Sequence, residues 1–146
     1  MVKGVQIKLI DIDNSNKIEL VEQFINDAGN SLITFRYFNT RPIEILKNHI
    51  ITTVLLFENR PIGYGHLDHE NDFVWLGIAI SQKSKGKGYG NIIMSHLISK
   101  AVELKLPIIS LTVDKNNSSA IKLYEKYDFK YIKDISELTQ LMQRTF

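Results

Sequence analysis

A basic, glycine-rich segment, residues 81–90, carries the residues whose types and spacing bear most directly on chemistry. Glycine stands at every second position near its end, Gly86, Gly88 and Gly90, and the alternating lysines are Lys83, Lys85 and Lys87. Glycine permits positive φ and leaves no side chain to obstruct a ligand, so such a loop can turn its N–H groups inwards. A helix that begins there adds unpaired N–H groups and a favourable dipole. The segment predicts a phosphate or pyrophosphate site, with a plain solvated turn as the alternative.

The spacing of the glycines excludes the two commonest nucleotide-binding loops. A P-loop needs Gly-x-x-x-x-Gly-Lys-Ser/Thr, which no segment of the chain supplies. A dinucleotide-binding loop needs Gly-x-Gly-x-x-Gly after the first strand, whereas Gly86-x-Gly88-x-Gly90 follows the fourth predicted strand. We therefore expect a phosphate-bearing ligand of another kind.

This loop and a second segment together resemble the GCN5-related N-acetyltransferases, the GNAT family. The acetyl-CoA loop of that family has the form Gln/Arg-x-x-Gly-x-Gly/Ala, and Lys85-Gly86-Lys87-Gly88-Tyr89-Gly90 matches it with Lys85 in the Gln/Arg position. The second segment, residues 111–129, is similar to a family pattern in which a strand is followed by Asn-x-x-Ala, then Leu-Tyr, then Gly-Phe. Asp128 stands in place of that glycine. Both segments lie in the family's order and spacing.

The resemblance implies a cofactor site for acetyl-CoA between the fourth and fifth strands, which splay apart in the family. The pantetheine arm would pair with the backbone of strand four, and the diphosphate would lie against the loop. Asn117 would orient the cofactor arm or the helix start, and an N-cap role alone is the alternative. The cofactor-binding residues implied in this way are Ile78, Ile80, Lys85, Gly86, Lys87, Gly88, Tyr89, Gly90 and Asn117.

Tyr124 occupies the position where the family often has its general acid. A phenol with a pKa of about 10 stays protonated at neutral pH and can protonate the departing CoA thiolate. The alternative is a core tyrosine beside Leu123 and Tyr127, and a buried ring with an accessible hydroxyl satisfies both interpretations. The chain has no Cys and no Gly-x-Ser-x-Gly motif, so we expect direct acetyl transfer, with an N–H near Ile78 for the oxyanion.

The general base is not at the position that some family members use, because Val74 occupies the place of their glutamate. Tyr64, His66 and Asp68 share one face of the third predicted strand, so either His66 or Asp68 can reach the cleft. His66 is the first choice because its ordinary pKa is near 6.5, and an exposed polar strand end is the equal alternative. His66 and His69 point to opposite faces, so we expect no metal site.

The amine acceptor is expected over the segment between the first two strands, which is one wall of the cleft in the family. The substrate-binding residues expected there are Arg36, Tyr37 and Arg41, which can stack on a sugar or clamp a carboxylate or phosphate. A hydrophobic anchor explains the neighbouring Phe35 and Phe38 equally well. An amino sugar, a polyamine, an amino acid and a protein amine all stay open, with a preference for a small molecule.

The sequence predicts an α/β or α+β fold, a mixed sheet covered by helices, and its strands and helices position these residues. Alternating apolar residues from Val5 to Leu9 indicate a first strand, and Ser15 or Asn16 is expected to cap the first helix. A short helix follows Pro42 to about His49; His49 and His96, on predicted helices, are expected to be plain surface or core residues. The order is strand, two helices, a three-strand meander, helix, strand, helix and two strands. The last segment, 138–146, also fits a helical period.

Composition is typical of a soluble enzyme-sized domain spanning residues 1–146. The chain has 146 residues, is 44% hydrophobic and 23% charged, and has a formal charge of +2, too small for a nucleic-acid-binding surface. No apolar run reaches the length of a membrane helix, and the absence of Cys fits a cytoplasmic protein. Acetyl-CoA is the expected co-substrate, and a homodimer is compatible with the resemblance. A CoA-binding regulatory module without turnover is the competing hypothesis.

Overall fold

Within residues 6–13 and 17–146, which the computed structural model describes, seven strands form one sheet in the order β1-β2-β3-β4-β5-β7-β6. The strands are β1 (Ile7–Asp11), β2 (His49–Phe57), β3 (Arg60–Glu70), β4 (Phe73–Ile80), β5 (Ile108–Asp114), β6 (Lys130–Asp134) and β7 (Thr139–Thr145). All neighbouring pairs are antiparallel except β4 and β5. The predicted fold class, a mixed and mostly antiparallel sheet flanked by helices, is confirmed.

The α-helices in the described residues are α1 (Ile18–Asp27), α2 (Ser31–Thr34), α3 (Tyr89–Glu103) and α4 (Ser118–Lys126), with 3-10 turns at Tyr37–Asn39, Ile43–Asn48 and Gln82–Ser84. The helix predicted after Pro42 is therefore a 3-10 helix, and His49 begins β2 instead of ending that helix. Ser15 and Asn16, the predicted caps of α1, and Val5 lie outside the described residues. None of the described helices is long and apolar enough to cross a membrane.

Two tight turns connect the meander β2–β3–β4. Glu58 and Asn59 have φ of 47° and 70°, and Asn71 and Asp72 have φ of 53° and 67°. Paired positive φ values in two-residue loops are those of a type I′ hairpin, whose twist matches that of the strands. The first turn contains only Glu58 and Asn59, because Arg60 already pairs with Phe57.

The sheet opens between β4 and β5. These strands run parallel and share a single paired position, Trp75 with Ser110, near the start of β4. The C-terminal half of β4 therefore has β3 on one side and no strand on the other. This is the predicted splay.

Helices cover both faces of the sheet, and β3 separates its side chains between them. Tyr64 packs with Val21 and Phe24 of α1 on one face. On the other face Gly63 and Gly65 let α3 approach, since a Cβ at either position would lie within 2.8 Å of Ile93. His66 and Asp68 share the Tyr64 face by the alternation of a strand. The C-terminal segment is a strand, not a helix, because residues 139–145 pair with β5 along its whole length.

Candidate active site

A cleft of about 650 Å³ lies where β4 and β5 part. Its lining comes from β4, the C-terminal part of β3, the glycine-rich loop with the start of α3, the end of β5 with the start of α4, and the segment 31–41. Of the site residues that the sequence predicts, all but Lys87 line this cleft. We call the part lined by the glycine-rich loop the cofactor end, and the part lined by β3 and the segment 31–41 the acceptor end.

The backbone of β4 presents free hydrogen-bonding groups to the cleft. Ser81 N donates to Ile62 O at 2.8 Å, which makes their position a hydrogen-bonded pair of the β3–β4 ladder. Such pairs alternate along an antiparallel ladder, so Ala79 and Gly77 also bond to β3. The groups of Ile78 and Ile80 must then point to the opposite edge, towards the opening. The hydroxyl of Ser31 donates to the carbonyl of Ile80, which leaves the N–H of Ile80 and both groups of Ile78 available there.

The glycine-rich loop joins this edge to the N-terminus of α3. Gly86 and Gly88 have φ of 77° and 82°, in the left-handed region that side chains disfavour. A Cβ on Gly86 would meet no atom within 4 Å, so the space above it is open to a ligand. Gly90 has another role, because a Cβ there would lie 3.0 Å from Leu123. Two glycines thus shape the loop, and the third brings α3 against α4.

Positive charge surrounds this loop without internal compensation. Gly88 is the N-cap of α3, and no side chain caps the helix, so its first N–H groups face the loop. No described acidic side chain forms an ion pair with Lys83, Lys85 or Lys87. Backbone donors, a helix dipole and unpaired lysines together suit a diphosphate.

Tyr124 and Asn117 enter the cleft from the β5 side. The ring of Tyr124 is 7% exposed and packs edge-on against Phe129, with their centroids 6.1 Å apart. Burial raises the pKa of Tyr124, so the phenol stays protonated. Its hydroxyl bonds to no other described residue. Asn117 caps α4 by accepting from Ala120 N at 3.4 Å, the N-cap role, while its amide nitrogen bonds to no described group.

At the acceptor end two histidines are buried in the aromatic layer beneath α1. His66 is 2% exposed, and its Nδ1 lies 2.7 Å from the hydroxyl of Tyr64. Burial, with His49 and Arg41 nearby, lowers the pKa of His66 well below its ordinary value, so the ring is neutral. Its other edge lies against Gly77 of β4, the paired position on the neighbouring strand.

Asp68 belongs to a chain of buried hydrogen bonds. The hydroxyl of Tyr37 donates to Asp68 Oδ2 at 2.6 Å and lies 2.6 Å from His49 Nε2. His49 Nδ1 lies in turn 2.7 Å from the hydroxyl of Thr52. Burial lowers the pKa of His49 to about 4, so this histidine is neutral at pH 7. A neutral ring fits the chain when Thr52 donates to Nδ1 and Nε2–H donates to Tyr37.

The two arginines of the acceptor end already have protein partners. Arg36 donates to both oxygens of Asp114 at 3.2 and 2.8 Å, and so joins the segment 31–41 to the end of β5. Arg41 stacks 4.3 Å above the ring of Tyr37 and bonds to Glu70 at 3.3 and 3.4 Å. Arg36 and Arg41 are thus positioned by the carboxylates of Asp114 and Glu70.

Sequence reasoning missed the roles of His49 and Gly77 at this end. His49 was expected to be a plain surface or core residue on a helix; it begins β2, its side chain is 1% exposed, and it bonds to Tyr37 of the proposed acceptor wall. Phe35 and Phe38 pack against Tyr64, with ring centroids 5.4 and 5.6 Å away, as the hydrophobic-anchor interpretation expects. Gly77 offered one sequence signal, a glycine inside an apolar strand, which often marks a close approach of another group.

Comparison with known proteins agrees with this geometry. A family model, described as the acetyltransferase (GNAT) family, matches residues 19–129. The spermine/spermidine N(1)-acetyltransferase of Bacillus subtilis strain 168 is 36% identical over 66 residues, and this match spans 44% of this chain and 43% of that enzyme.

Solved structures show the same fold at low identity. The PaiA N-acetyltransferase of Thermoplasma acidophilum in complex with coenzyme A has a TM-score of 0.73 at 16% identity, over 97% of this chain and 99% of its own. A GNAT-family acetyltransferase of Streptococcus pneumoniae has a TM-score of 0.75 at 19% identity, over 97% of this chain and 100% of its own. The family match over most of the chain identifies this protein as a member of the GNAT acetyltransferase family.

Proposed function

We propose that the chain is an acetyl-CoA-dependent N-acetyltransferase that transfers the acetyl group directly to a primary amine of a small molecule. The observation that carries this proposal is the free edge of β4, which the glycine-rich loop connects to the uncapped N-terminus of α3. Backbone groups at Ile78 and Ile80 suit an extended amide-bearing arm. The loop at residues 85–90 suits the diphosphate at its end.

The cleft supplies the groups that direct transfer needs. The amine nitrogen attacks the thioester carbon, a C–N bond forms, and the C–S bond breaks. The N–H of Ile78 holds the oxyanion, and Tyr124 gives its proton to the departing sulfur. The proton released by the nitrogen passes to one of two side chains on the same face of β3, His66 or Asp68.

The acceptor end favours a small cationic amine. Glu70 keeps 40% of its side chain exposed and its two bonds to Arg41 are long, so its carboxylate can also pair with an ammonium group. Arg36, Tyr37 and Arg41 form the wall over which the acceptor lies. The name of the Bacillus relative makes a polyamine the first acceptor to test.

The test is an acetylation screen in which release of free CoA thiol is followed with spermidine, amino sugars, amino acids and peptides. We expect turnover with at least one small amine and loss of that turnover in Tyr124→Phe. Calorimetry with acetyl-CoA runs in parallel. Tight binding without turnover on any amine would identify a CoA-binding regulatory module instead, and the absence of binding would remove the proposal altogether.

A further inference from the structure

The hydroxyl of Tyr64 determines which nitrogen of His66 carries the hydrogen. Tyr64 is 0% exposed, and His66 Nδ1, 2.7 Å away, is its one hydrogen-bond partner in the described part of the chain. A buried donor without an acceptor is strongly destabilising, because it loses its hydrogen bond to water without a replacement. Tyr64 therefore donates and Nδ1 accepts, since the opposite arrangement leaves the hydroxyl hydrogen of Tyr64 unpaired.

The other nitrogen of His66 must then carry the hydrogen. A neutral imidazole has one N–H, and the ring is neutral because it is buried beside His49 and within the field of Arg41. When Nδ1 is the acceptor, Nε2 is the donor. His66 thus presents an N–H group, not a lone pair, at its free edge.

Gly77 gives this edge access to the cleft. A Cβ on Gly77 would lie 2.6 Å from His66 Nε2 and 2.5 Å from Cε1, closer than real atoms approach. The missing side chain lets the donor edge of His66 lie directly against the backbone of β4. Gly77 immediately precedes Ile78, whose N–H is the proposed oxyanion donor.

The group that receives this hydrogen bond follows from the chemistry of the proposed function, on which this inference rests. Three reacting atoms offer a lone pair, the amine nitrogen, the thioester sulfur and the thioester carbonyl oxygen. Tyr124 is the proposed donor to the sulfur, so two remain for His66. An amine whose lone pair accepts a hydrogen bond cannot attack, so the productive partner is the carbonyl oxygen. We propose that Tyr64 holds His66 as the Nε2–H tautomer and that His66 is a second donor to the acetyl oxyanion, not the general base.

The proton of the amine then goes to Asp68. As the C–N bond forms and the C–S bond breaks, the nitrogen loses a proton to the carboxylate, and the sulfur receives the proton of Tyr124. Asp68 lines the cleft two residues beyond His66, and Tyr37 fixes one of its oxygens. The second oxygen has no hydrogen-bond partner in the described residues and is free to take the proton.

The tautomer can be measured without any acceptor. Imidazole ¹⁵N chemical shifts separate the two tautomers, and we expect His66 in the wild-type protein to carry its hydrogen on Nε2. Tyr64→Phe removes the hydroxyl and should give a mixture of tautomers. Thr53→Val, which removes another buried hydroxyl that bonds to Ile10 O, should leave the shifts of His66 unchanged. A wild-type ring with its hydrogen on Nδ1 overturns the proposal.

Two amide variants separate a donor from a base. Neither amide can take up a proton, but the glutamine NH₂ reaches the position of Nε2, whereas the asparagine amide reaches only that of Nδ1. With acetyl-CoA and spermidine, we expect His66→Asn to lower kcat by about 10²–10³, the effect of losing one oxyanion donor, and His66→Gln to stay within about tenfold of wild type. Equal losses in both variants overturn the donor role. Absence of turnover in the wild type would contradict the choice of spermidine, while the ¹⁵N experiment would still decide the tautomer.

Discussion

The two ends of the cleft achieve binding with different parts of the chain. The cofactor end consists of backbone groups, glycines and exposed lysines from a continuous segment, residues 78–90. The acceptor end consists of buried and half-buried side chains from three separate segments, joined by hydrogen bonds between Tyr37, His49, Thr52 and Asp68. Binding by backbone groups depends on the conformation of the loop, whereas binding by side chains depends on each hydrogen-bonding partner that holds those side chains in place.

Tyr124 lines the cleft as the proposed general acid, and its loss should have the largest effect. We expect Tyr124→Phe to lower kcat by about 10²–10⁴, the usual contribution of a general acid, with acetyl-CoA affinity unchanged. Tyr127→Phe is the matched control, because Tyr127 does not itself line the cleft and its hydroxyl bonds to the backbone of Asn91. Steady-state kinetics with calorimetry measures both quantities. Equal kcat in Tyr124→Phe and the parent would remove Tyr124 from the mechanism.

Gly88 tests whether the cofactor end depends on backbone conformation. Its φ of 82° is unfavourable for a β-branched residue, so Gly88→Val should weaken acetyl-CoA binding by about 10², measured by calorimetry. Gly88→Asn adds a side chain that tolerates this conformation and should lose less. If the valine variant binds as tightly as the parent, the loop does not hold the cofactor.

The acceptor end should make stability depend on pH. His49 has a pKa of about 4 in the folded protein and an ordinary value near 6.5 when unfolded. Between these values the unfolded chain binds more protons, so the free energy of unfolding should fall by roughly 1 kcal/mol for each pH unit of acidification, on account of His49 alone. His66 changes in the same direction.

Urea unfolding at a series of pH values measures this slope. The His49→Gln variant should show a shallower slope between pH 6.5 and 4 than the parent, because the glutamine cannot titrate. His96→Gln is the control, since His96 lies at the surface against Asp11. An identical slope in His49→Gln would mean that the buried network does not control the titration.

The smallest expected effects concern stability, where replacing Arg36 should lower the unfolding free energy more than replacing Arg41. Asp114 is 8% exposed and loses its bidentate partner in Arg36→Met, so we expect a loss of about 1–3 kcal/mol in unfolding free energy. Arg41→Met breaks longer and more exposed bonds to Glu70 and should cost less than about 1 kcal/mol. Chemical denaturation of both variants provides the comparison. Equal losses would mean that the bridge to β5 contributes no more than a surface ion pair.

The cofactor end was the part that the sequence could predict. Residues 85–90 are consecutive, so their spacing is visible without knowledge of the fold, and the β4–β5 splay followed from the family resemblance. Period-two alternation also placed His66 and Asp68 on one face correctly. His49 was missed because its partners Tyr37 and Asp68 lie 12 and 19 residues away along the chain. The pairing of β2 with β3 brings Asp68 opposite His49, and the 3-10 turn at Tyr37–Asn39 supplies Tyr37.

Two features of β4 depend on its register with β3. Its even-numbered residues must turn their amides to the opening, and Gly77 must lie opposite His66. Inserting or deleting one residue between Trp75 and Gly77 would reverse both at once, hiding the amides of Ile78 and Ile80 and placing another side chain over the imidazole. A change of length in the turn at Asn71–Asp72, which precedes the strand, would leave both in place.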